Sequence, residues 1–458
     1  MESEFALKSP PLKLPRKFPK AVSNLVGNRC RVRSIGVYIN AGSRQDTLET
    51  SGTANLLRKM LLRGTTSATK GQIAEELESM GAQLTGETGR EISSLGLQVF
   101  KGDVSRAVSL LGEAITAATL DGAEVELAKQ EQARENEDSS KDLMNTTIEA
   151  CHFNAFRDHM MGQPIRGDPD NLQNLTADML QAYRAANYVG DNIVIVGTGA
   201  VDHDALAEQV NQAFAALPKT ATTEAANADK CVYVPALLMM RDDEMYNANV
   251  GVFYNAPSVK DEDYYSFLLM KHIIGNYRID KVAEHLNDVG KQYNSMHALI
   301  GNLVDVTKAD CSYHAYSDCG LWGNYFFGNE VFVRQMNYAG VCCPTFFASY
   351  VNEVEVVRGR NALWNSLMTT EDAKEINKEI GTQMLQVGRR VTRSEIAARV
   401  SHMDQNHIRH LCNEWFYDAE PSWTNWGPIE NTSSIGSYKY FKVNTMTTYL
   451  NTHHSLAT

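Results

Sequence analysis

The sequence of 458 residues has no apolar run of the roughly 18 residues that a membrane-spanning helix needs. It also lacks an excess of basic residues, because 43 lysines and arginines face 55 aspartates and glutamates, a formal net charge of −12. A phosphate backbone attracts clustered positive charge, so this balance argues against a nucleic-acid-binding protein. We therefore expect no nucleic-acid partner, and membrane contact only through partner proteins.

None of the eight cysteines forms a Cys-x-x-Cys pair, and no motif is typical of a haem or an iron–sulfur cluster. This pattern predicts reduced thiols that serve as small apolar side chains in a reducing compartment. A Gly-x-Gly-x-x-Gly loop is missing as well, since residues 196–199 (VGTG) lack the third glycine. These absences predict a protein without a cofactor of its own.

The first twenty residues contain five basic residues and four prolines, together with Glu2 and Glu4. The acids and prolines are unlike the acid-free amphipathic helix of a mitochondrial targeting peptide. Two interpretations remain open: a presequence has already been removed, or targeting is unusual.

An internal repeat is present. Residues 36–43 (GVYINAGS) return as residues 251–258 (GVFYNAPS), with five identities in eight positions. Farther along, residues 188–202 match residues 416–430 in the same order and at a similar offset. Two ordered matches at nearly constant spacing indicate an ancient duplication.

The repeat and the local composition predict the domain boundaries. Residues 219–230 contain no aromatic and no large aliphatic side chain, which is typical of a linker. We predict a basic N-terminal extension at 1–21, a first domain at 22–218, the linker at 219–230, and a second domain with a C-terminal tail at 231–458.

Apolar periodicity predicts both helices and strands within these domains. Helices are predicted at 53–62, 73–80, 104–118, 123–147 and 264–274, and strands at 83–88, 93–100 and 193–197. Paired helices beside strands predict an α+β fold of two homologous, duplicated α/β-sandwich domains, with helices on one face of each sheet.

Two other groups of residues could suggest catalysis or metal binding, but their spacing favours a structural or exposed position. Cys151 and His152 are neighbours in sequence, which on a helix directs them away from each other and argues against a cysteine protease. For His402, His407 and His410 solvent exposure is expected.

Three segments carry a resemblance to a known family. Residues 36–44, 52–60 (GTANLLRKM) and 63–65 (RGT) resemble the opening signature of the pitrilysin-type metallopeptidases. Within that family the sequence is most similar to the branch of the mitochondrial processing peptidase beta subunits and the first core proteins of ubiquinol–cytochrome c reductase, complex III. Active members carry His-x-x-Glu-His on this helix, where the histidines bind zinc and the glutamate deprotonates a water.

The matching positions hold residues that do not suit this chemistry. Asn55, Arg58 and Lys59 stand where His, Glu and His would be, and Ala128 replaces a supporting glutamate. Glu135 matches the distal glutamate ligand. The resemblance therefore implies a degenerate metal site, with no catalytic residue and no bound metal. For Arg58 and Lys59 two interpretations remain open: ordinary solvated helix residues, or an ion pair with Glu135 across the vacated site.

The resemblance also implies a function. We expect a non-catalytic core subunit of mitochondrial complex III, on the matrix side of the inner membrane, that pairs with a second, alpha-type core protein. Cytochrome b, the cytochrome c-type subunit and the Rieske subunit are the other expected partners.

Two alternatives are weighed against this expectation. One is an active processing peptidase, with the active site here or in a paired subunit. The other is a non-catalytic presequence-binding or partner subunit of such a peptidase, in which the strand near 83–87 pairs with presequence peptides.

Overall fold

The computed structural model describes residues 20–24, 32–157, 159–199, 201–220, 230–279, 296, 305–369, 372–430 and 432, and of residues 20–24 only the backbone. Most of the predicted N-terminal extension and linker, and the tail beyond residue 432, lie outside the described residues. In the described part of the chain, no helix combines the length and the apolar character that crossing a membrane requires.

The first half of the chain forms a five-stranded sheet of order β1-β5-β2-β4-β3, in which only the β1–β5 pair is parallel. Its strands are β1 Lys20–Asn24, β2 Val32–Ile39, β3 Gln83–Thr88, β4 Ser93–Phe100 and β5 Ile193–Thr198. Its helices are α1 Thr53–Met60, α2 Lys70–Ser79, α3 Val104–Ala117, α4 Gly122–Ser140, α5 Leu143–Ala155, α6 Pro169–Leu172, α7 Ala177–Asn187 and α8 His203–Ala213.

The second half forms a six-stranded sheet of order β6-β11-β7-β10-β9-β8, in which only the β6–β11 pair is parallel. Its strands are β6 Leu237–Arg241, β7 Asn247–Ala256, β8 Asn276–Arg278, β9 Val306–Ala315, β10 Gly320–Asn329 and β11 Ser422–Gly427. The helices described there are α9 Tyr264–Ile274, α10 Val333–Ser349, α11 Glu353–Thr369, α12 Ala373–Gln386, α13 Arg393–Ser401 and α14 Gln405–Trp415.

The two halves repeat one plan, which confirms the predicted α+β fold of two duplicated domains. The repeated segments at 36–43 and 251–258 run along β2 and β7 into the turns that follow, and the second repeat contains β5 and β11. The order β1-β5-β2-β4-β3 matches β6-β11-β7-β10-β9, strand by strand. Each half buries its own apolar core between its sheet and its helices.

The halves exchange one helix each. Helix α5 of the first half packs on β7 and β11, and α12 of the second half packs on β2 and β5. Both approaches are close. An added methyl group at Gly251 would lie 2.4 Å from the Cys151 sulfur on α5, and one at Gly381 on α12 would lie 2.3 Å from the Tyr38 ring. Small residues therefore let the exchanged helices sit directly on the sheets.

The prediction of helices on one face of each sheet was wrong. Val194 and Val196 of β5 pack with Tyr38 against Ile376 and Ile380 of α12, so the second face of this sheet is also buried. The sequence of β5 explains why both faces are buried, because a run of consecutive apolar residues is typical of a strand covered on both faces.

The long helix predicted at 123–147 is two helices. Helix α4 ends at Ser140, and α5 begins at Leu143. The carboxylate of Asp142 accepts a hydrogen bond from the Asn145 backbone N–H, which caps α5 as an independent helix. This break frees α5 to cross to the other sheet.

Candidate functional site

Helix α1 contains Asn55, Arg58 and Lys59, the positions that the sequence resemblance matches to a metal motif. Gly52 precedes it with φ of 96°, a left-handed conformation that glycine adopts without strain. The Asp46 carboxylate accepts hydrogen bonds from the backbone N–H groups of Gly52 (3.0 Å) and Ala54 (3.2 Å). Burial raises the pKa of Asp46 to about 8, against the effect of these two bonds. The start of α1 is thus anchored to a buried side chain.

Lys59 and Glu135 form an ion pair between α1 and α4. The ammonium Nζ lies 2.6 Å from Glu135 Oε2, with the Lys59 side chain 9 % exposed and the Glu135 side chain 53 % exposed. Burial lowers the pKa of Lys59 below its ordinary value, although the bond to Glu135 acts in the opposite direction. The structure therefore places these two residues together, as one of the two sequence interpretations requires.

Asn55 and Arg58 lie one helical turn apart on the same face of α1. The Arg58 guanidinium donates to Thr88 Oγ1 on the edge strand β3 (3.1 Å) and to Asn55 Oδ1 (3.4 Å). Burial lowers the pKa of Arg58, yet guanidinium groups stay protonated in proteins. This face of α1 consequently presents an amide and a cation toward β3.

Ala128 and Gln132 lie on α4, which packs against α1. Both residues are fully buried, and the Gln132 amide donates a 2.8 Å hydrogen bond to the Arg166 carbonyl oxygen. A methyl group at position 128 offers no ligand atom. Of the five positions that the sequence singled out, the structure joins Lys59 to Glu135 and Arg58 to Asn55, and it places Ala128 in the core.

The ion pair belongs to a longer series of contacts along the α1–α4 seam. Arg63 lies 3.2 Å from Glu124 and also contacts the Glu131 carboxylate. Sequence reasoning missed Arg63 and Glu131. For Glu131 a usable signal was present, since Glu131 and Glu135 are four residues apart on α4 and share one helical face, whereas Arg63 lies beyond the end of α1.

A second polar cluster joins the two halves. The Arg44 guanidinium donates to both carboxylate oxygens of Asp318 (2.8 and 2.7 Å) and to Glu91 (2.9 Å). Glu91 in turn accepts a 2.9 Å hydrogen bond from the Ser317 backbone N–H. Arg44, Glu91 and Asp318, named here the interdomain ion cluster, fix the turn between β9 and β10 against the first half.

The other residue groups considered in the sequence are either buried in the core or exposed to solvent. Cys151 and His152 are fully buried, and both imidazole nitrogens are engaged, at 2.8 Å from the Ile148 carbonyl oxygen and the Tyr316 hydroxyl. Burial raises the pKa of Cys151 to about 12, so this thiol is not an activated nucleophile. The three histidines near the end of the chain are exposed, as expected: His402, His407 and His410.

Within the described residues, no three or more His, Cys, Asp or Glu side chains are arranged to hold a metal ion.

Comparisons with known proteins agree with this architecture. Residues 28–169 match the profile described as insulinase (peptidase family M16), and residues 174–339 match that of the peptidase M16 inactive domain. One relative is the mitochondrial-processing peptidase subunit beta of Neurospora crassa, 29% identical over 405 residues that cover 87% of this chain and 83% of that protein. The Bos taurus subunit of the same name is 29% identical over 401 residues, which cover 87% of this chain and 80% of that protein.

A solved structure shares the fold. A chain of the complex III2 structure from Candida albicans, with Inz-5 bound, superposes with a TM-score of 0.81 at 17% sequence identity. The superposition covers 93% of this chain and 100% of that chain. With matches to the family's profiles in both halves, this chain belongs to peptidase family M16.

Proposed function

We propose that this chain is a non-catalytic core subunit of mitochondrial respiratory complex III, located on the matrix side of the inner membrane and paired with a second, alpha-type core protein. The observation that carries the proposal is the Lys59–Glu135 ion pair, with Asn55 and Arg58 beside it, at the positions of the family's metal motif. The similarity to mitochondrial-processing peptidase beta subunits and the shared fold of the complex III2 chain support the assignment.

The residues present do not fit a zinc ion. Zinc in this family's motif requires two neutral imidazoles and a free carboxylate, but here the carboxylate of Glu135 is bound by Lys59. Arg58 adds a second cation, and two positive charges repel a divalent ion. The general base is missing as well, since a guanidinium cannot accept a proton from water. We accordingly derive no hydrolytic step for this site.

Ion pairs take over the bridging role that a shared metal would have between α1 and α4. Lys59 and Arg63 on one side contact Glu135, Glu131 and Glu124 on the other. Such partly exposed pairs contribute about 0.2–1 kcal/mol each, so the seam is held mainly by its apolar contacts. A subunit of this kind serves as a scaffold and leaves electron transfer to its partners.

Affinity purification tests the assignment. The tagged full chain is isolated from mitochondria in mild detergent, and the co-purified proteins are identified by mass spectrometry. Cytochrome b and the Rieske subunit are expected in stoichiometric amounts. If only a soluble alpha-type subunit is recovered, the assignment to complex III is wrong and a processing-peptidase complex replaces it.

A presequence-binding role is a second candidate, because β3 is an edge strand. Among the described strands it pairs only with β4, and each of its residues is exposed or half-buried, so its outer edge could accept an extended peptide. Arg58 at Thr88 counts against a basic ligand at this edge.

Fluorescence anisotropy with a labelled arginine-rich presequence peptide tests the presequence-binding role. Binding that weakens steeply between low and high salt supports this role, and an unchanged anisotropy at low salt dismisses it.

A further inference from the structure

Cys231 and Cys319 meet at the point where the chain enters the second half. Their thiols lie close enough to interact electrostatically, and both residues belong to one buried apolar cluster. The backbone N–H of Cys231 also donates a 3.1 Å hydrogen bond to Asp318, the residue before Cys319. Two separate contacts thus hold the entering chain against the turn between β9 and β10.

A histidine from the first half completes the group. The ring of His159 hydrogen-bonds the Cys231 thiol. Its Nδ1 accepts a 3.0 Å hydrogen bond from the Met161 backbone N–H, which leaves Nε2 as the donor nitrogen of the neutral ring. The interactions with Cys319 and His159 lower the pKa of Cys231, and the interaction with Cys231 together with burial raises the pKa of Cys319. Because the His159 ring lies beside Cys231, we take Cys231 as the nucleophile of the pair and Cys319 as the resolving thiol.

The other cysteines described lack this environment. Cys412 is fully buried, its sulfur contacts the Met270 sulfur at 3.5 Å, and burial raises its pKa. Burial likewise raises the pKa values of Cys151 and Cys343. Near the Cys231–Cys319 pair, by contrast, the Asp318 side chain is 23 % exposed, and Cys231 and Cys319 keep 4 % and 6 % of their own surfaces exposed.

We propose that Cys231 and Cys319 form a dithiol site that hydrogen peroxide oxidises to a disulfide. The Cys231 thiolate attacks one peroxide oxygen, the O–O bond breaks, and the departing hydroxide takes up a proton to leave as water. The Cys319 sulfur then attacks the resulting sulfenic acid. The S–S bond forms, the S–O bond breaks, and the oxygen leaves as a second water with the thiol proton. In total, two thiols and one peroxide yield one disulfide and two waters.

Oxidation changes how the two halves are joined. The disulfide closes a loop of about 90 residues, which raises the thermal stability of the second half. It also removes the Cys231 thiolate that His159 contacts, so one link to the first half is lost. The site does not depend on the proposed function, because it involves neither the α1–α4 seam nor the β3 edge.

Residue-resolved alkylation of the purified full chain is the first test. The native reduced protein is treated with iodoacetamide near neutral pH, and each cysteine is quantified over time by mass spectrometry. Cys231 should react on the order of tenfold faster or more than Cys412. Peroxide should then produce a cross-linked Cys231–Cys319 peptide that dithiothreitol removes. Equal alkylation rates for Cys231 and Cys412, or peroxide oxidation that starts at other cysteines, would overturn the proposal.

Single-cysteine variants distinguish the roles of the two thiols. In Cys319→Ser, dimedone should trap a sulfenic acid at Cys231, whereas in Cys231→Ser the thiol of Cys319 should stay reduced. Cys412→Ser is the matched control and should form the cross-link like the parent protein. His159→Gln should shift the pH midpoint of Cys231 alkylation upward. A stoichiometric zinc ion that co-purifies and blocks both thiols would make this a metal site and refute the redox assignment.

Discussion

The Tyr38 hydroxyl donates a 2.8 Å hydrogen bond to Asn377 Oδ1, across 339 positions of the chain. The Asn377 amide group donates in turn to the carbonyl oxygens of Ser34 (2.8 Å) and Val196 (2.9 Å). Asn377 is 1 % exposed, so one buried side chain satisfies polar groups of β2 and β5 from the exchanged helix α12. This arrangement makes the contact between the halves specific as well as apolar.

Replacing Asn377 with leucine should destabilise the protein. The apolar side chain leaves the Tyr38 hydroxyl without its acceptor in a buried position, at a cost of about 2–3 kcal/mol. Urea unfolding of Asn377→Leu should show a lower midpoint with an unchanged slope. Glu375→Ala, an exposed change on the same helix, is the control and should leave the midpoint in place. Equal midpoints for both variants would contradict the role of Asn377.

Gly251→Ala tests the close approach of α5 to β7. The new methyl carbon would lie 2.4 Å from Cys151 Sγ, so the helix must shift, and we expect a loss of about 1–3 kcal/mol. Adding Cys151→Ala removes the obstructing sulfur and should restore part of that loss.

The matched control for this series is Gly71→Ala. An added methyl at Gly71 meets no atom within 4 Å, and alanine should stabilise α2 by about 0.5–1 kcal/mol. Additive effects of Gly251→Ala and Cys151→Ala in thermal unfolding would show that the contact is not the cause.

The sequence predicts the local elements of this fold better than the contacts between distant segments. The bounds of β3, β4 and α9 agree with the predicted ranges, because alternation and apolar periodicity depend only on neighbours in the chain. The exchange of α5 and α12 was not predictable in this way. A buried asparagine such as Asn377 has the same local pattern as a solvated one, and its partners lie in the other half of the chain.

The candidate site shows the same division. Asn55, Arg58 and Lys59 were found because a short motif on one helix places them, and Glu135 was found by its resemblance to a distal ligand. Arg63 was missed because its contacts depend on how α1 and α4 are aligned, which no local pattern fixes.

The Lys59–Glu135 pair should give a small, salt-sensitive coupling energy. Since Glu135 is 53 % exposed, a double-mutant cycle with Lys59→Ala and Glu135→Ala should yield about 0.5 kcal/mol at low salt and less at high salt. Thermal unfolding of the four proteins provides the measurement. A coupling of zero at low salt would mean that the two residues act as ordinary solvated side chains.

Restoring the family's ligands should create a zinc site. The triple variant Asn55→His, Arg58→Glu and Lys59→His frees Glu135 and supplies two imidazoles one turn apart, so equilibrium dialysis should show one tightly held zinc ion per chain. Adding Glu135→Ala should weaken binding by about tenfold or more. The unaltered chain should retain none after dialysis. Stoichiometric zinc in the unaltered chain would refute the assignment of a degenerate site.

Acid should weaken the junction between the halves through Asp318. Burial disfavours its charged form, but the hydrogen bonds from Arg44 and from the Cys231 backbone prevail and lower the pKa of Asp318 to about 2. Because the pKa is lower in the folded than in the unfolded chain, the stabilisation is complete above the ordinary carboxyl value of about 4 and is lost as the pH falls toward 2. With 23 % of the side chain exposed, we expect a contribution of about 1 kcal/mol.

Urea unfolding at a series of pH values measures this contribution. Asp318→Asn should be less stable than the parent protein near neutral pH, because Arg44 loses a charged partner, and the difference should shrink as the pH falls from about 4 to 2. Asp243→Asn removes an exposed carboxylate paired with Arg241 inside the second half and serves as the control, with a smaller effect at neutral pH. A difference for Asp318→Asn that stays constant down to pH 2 would show that the carboxylate charge does not stabilise the junction, since protonation would then leave the stability unchanged.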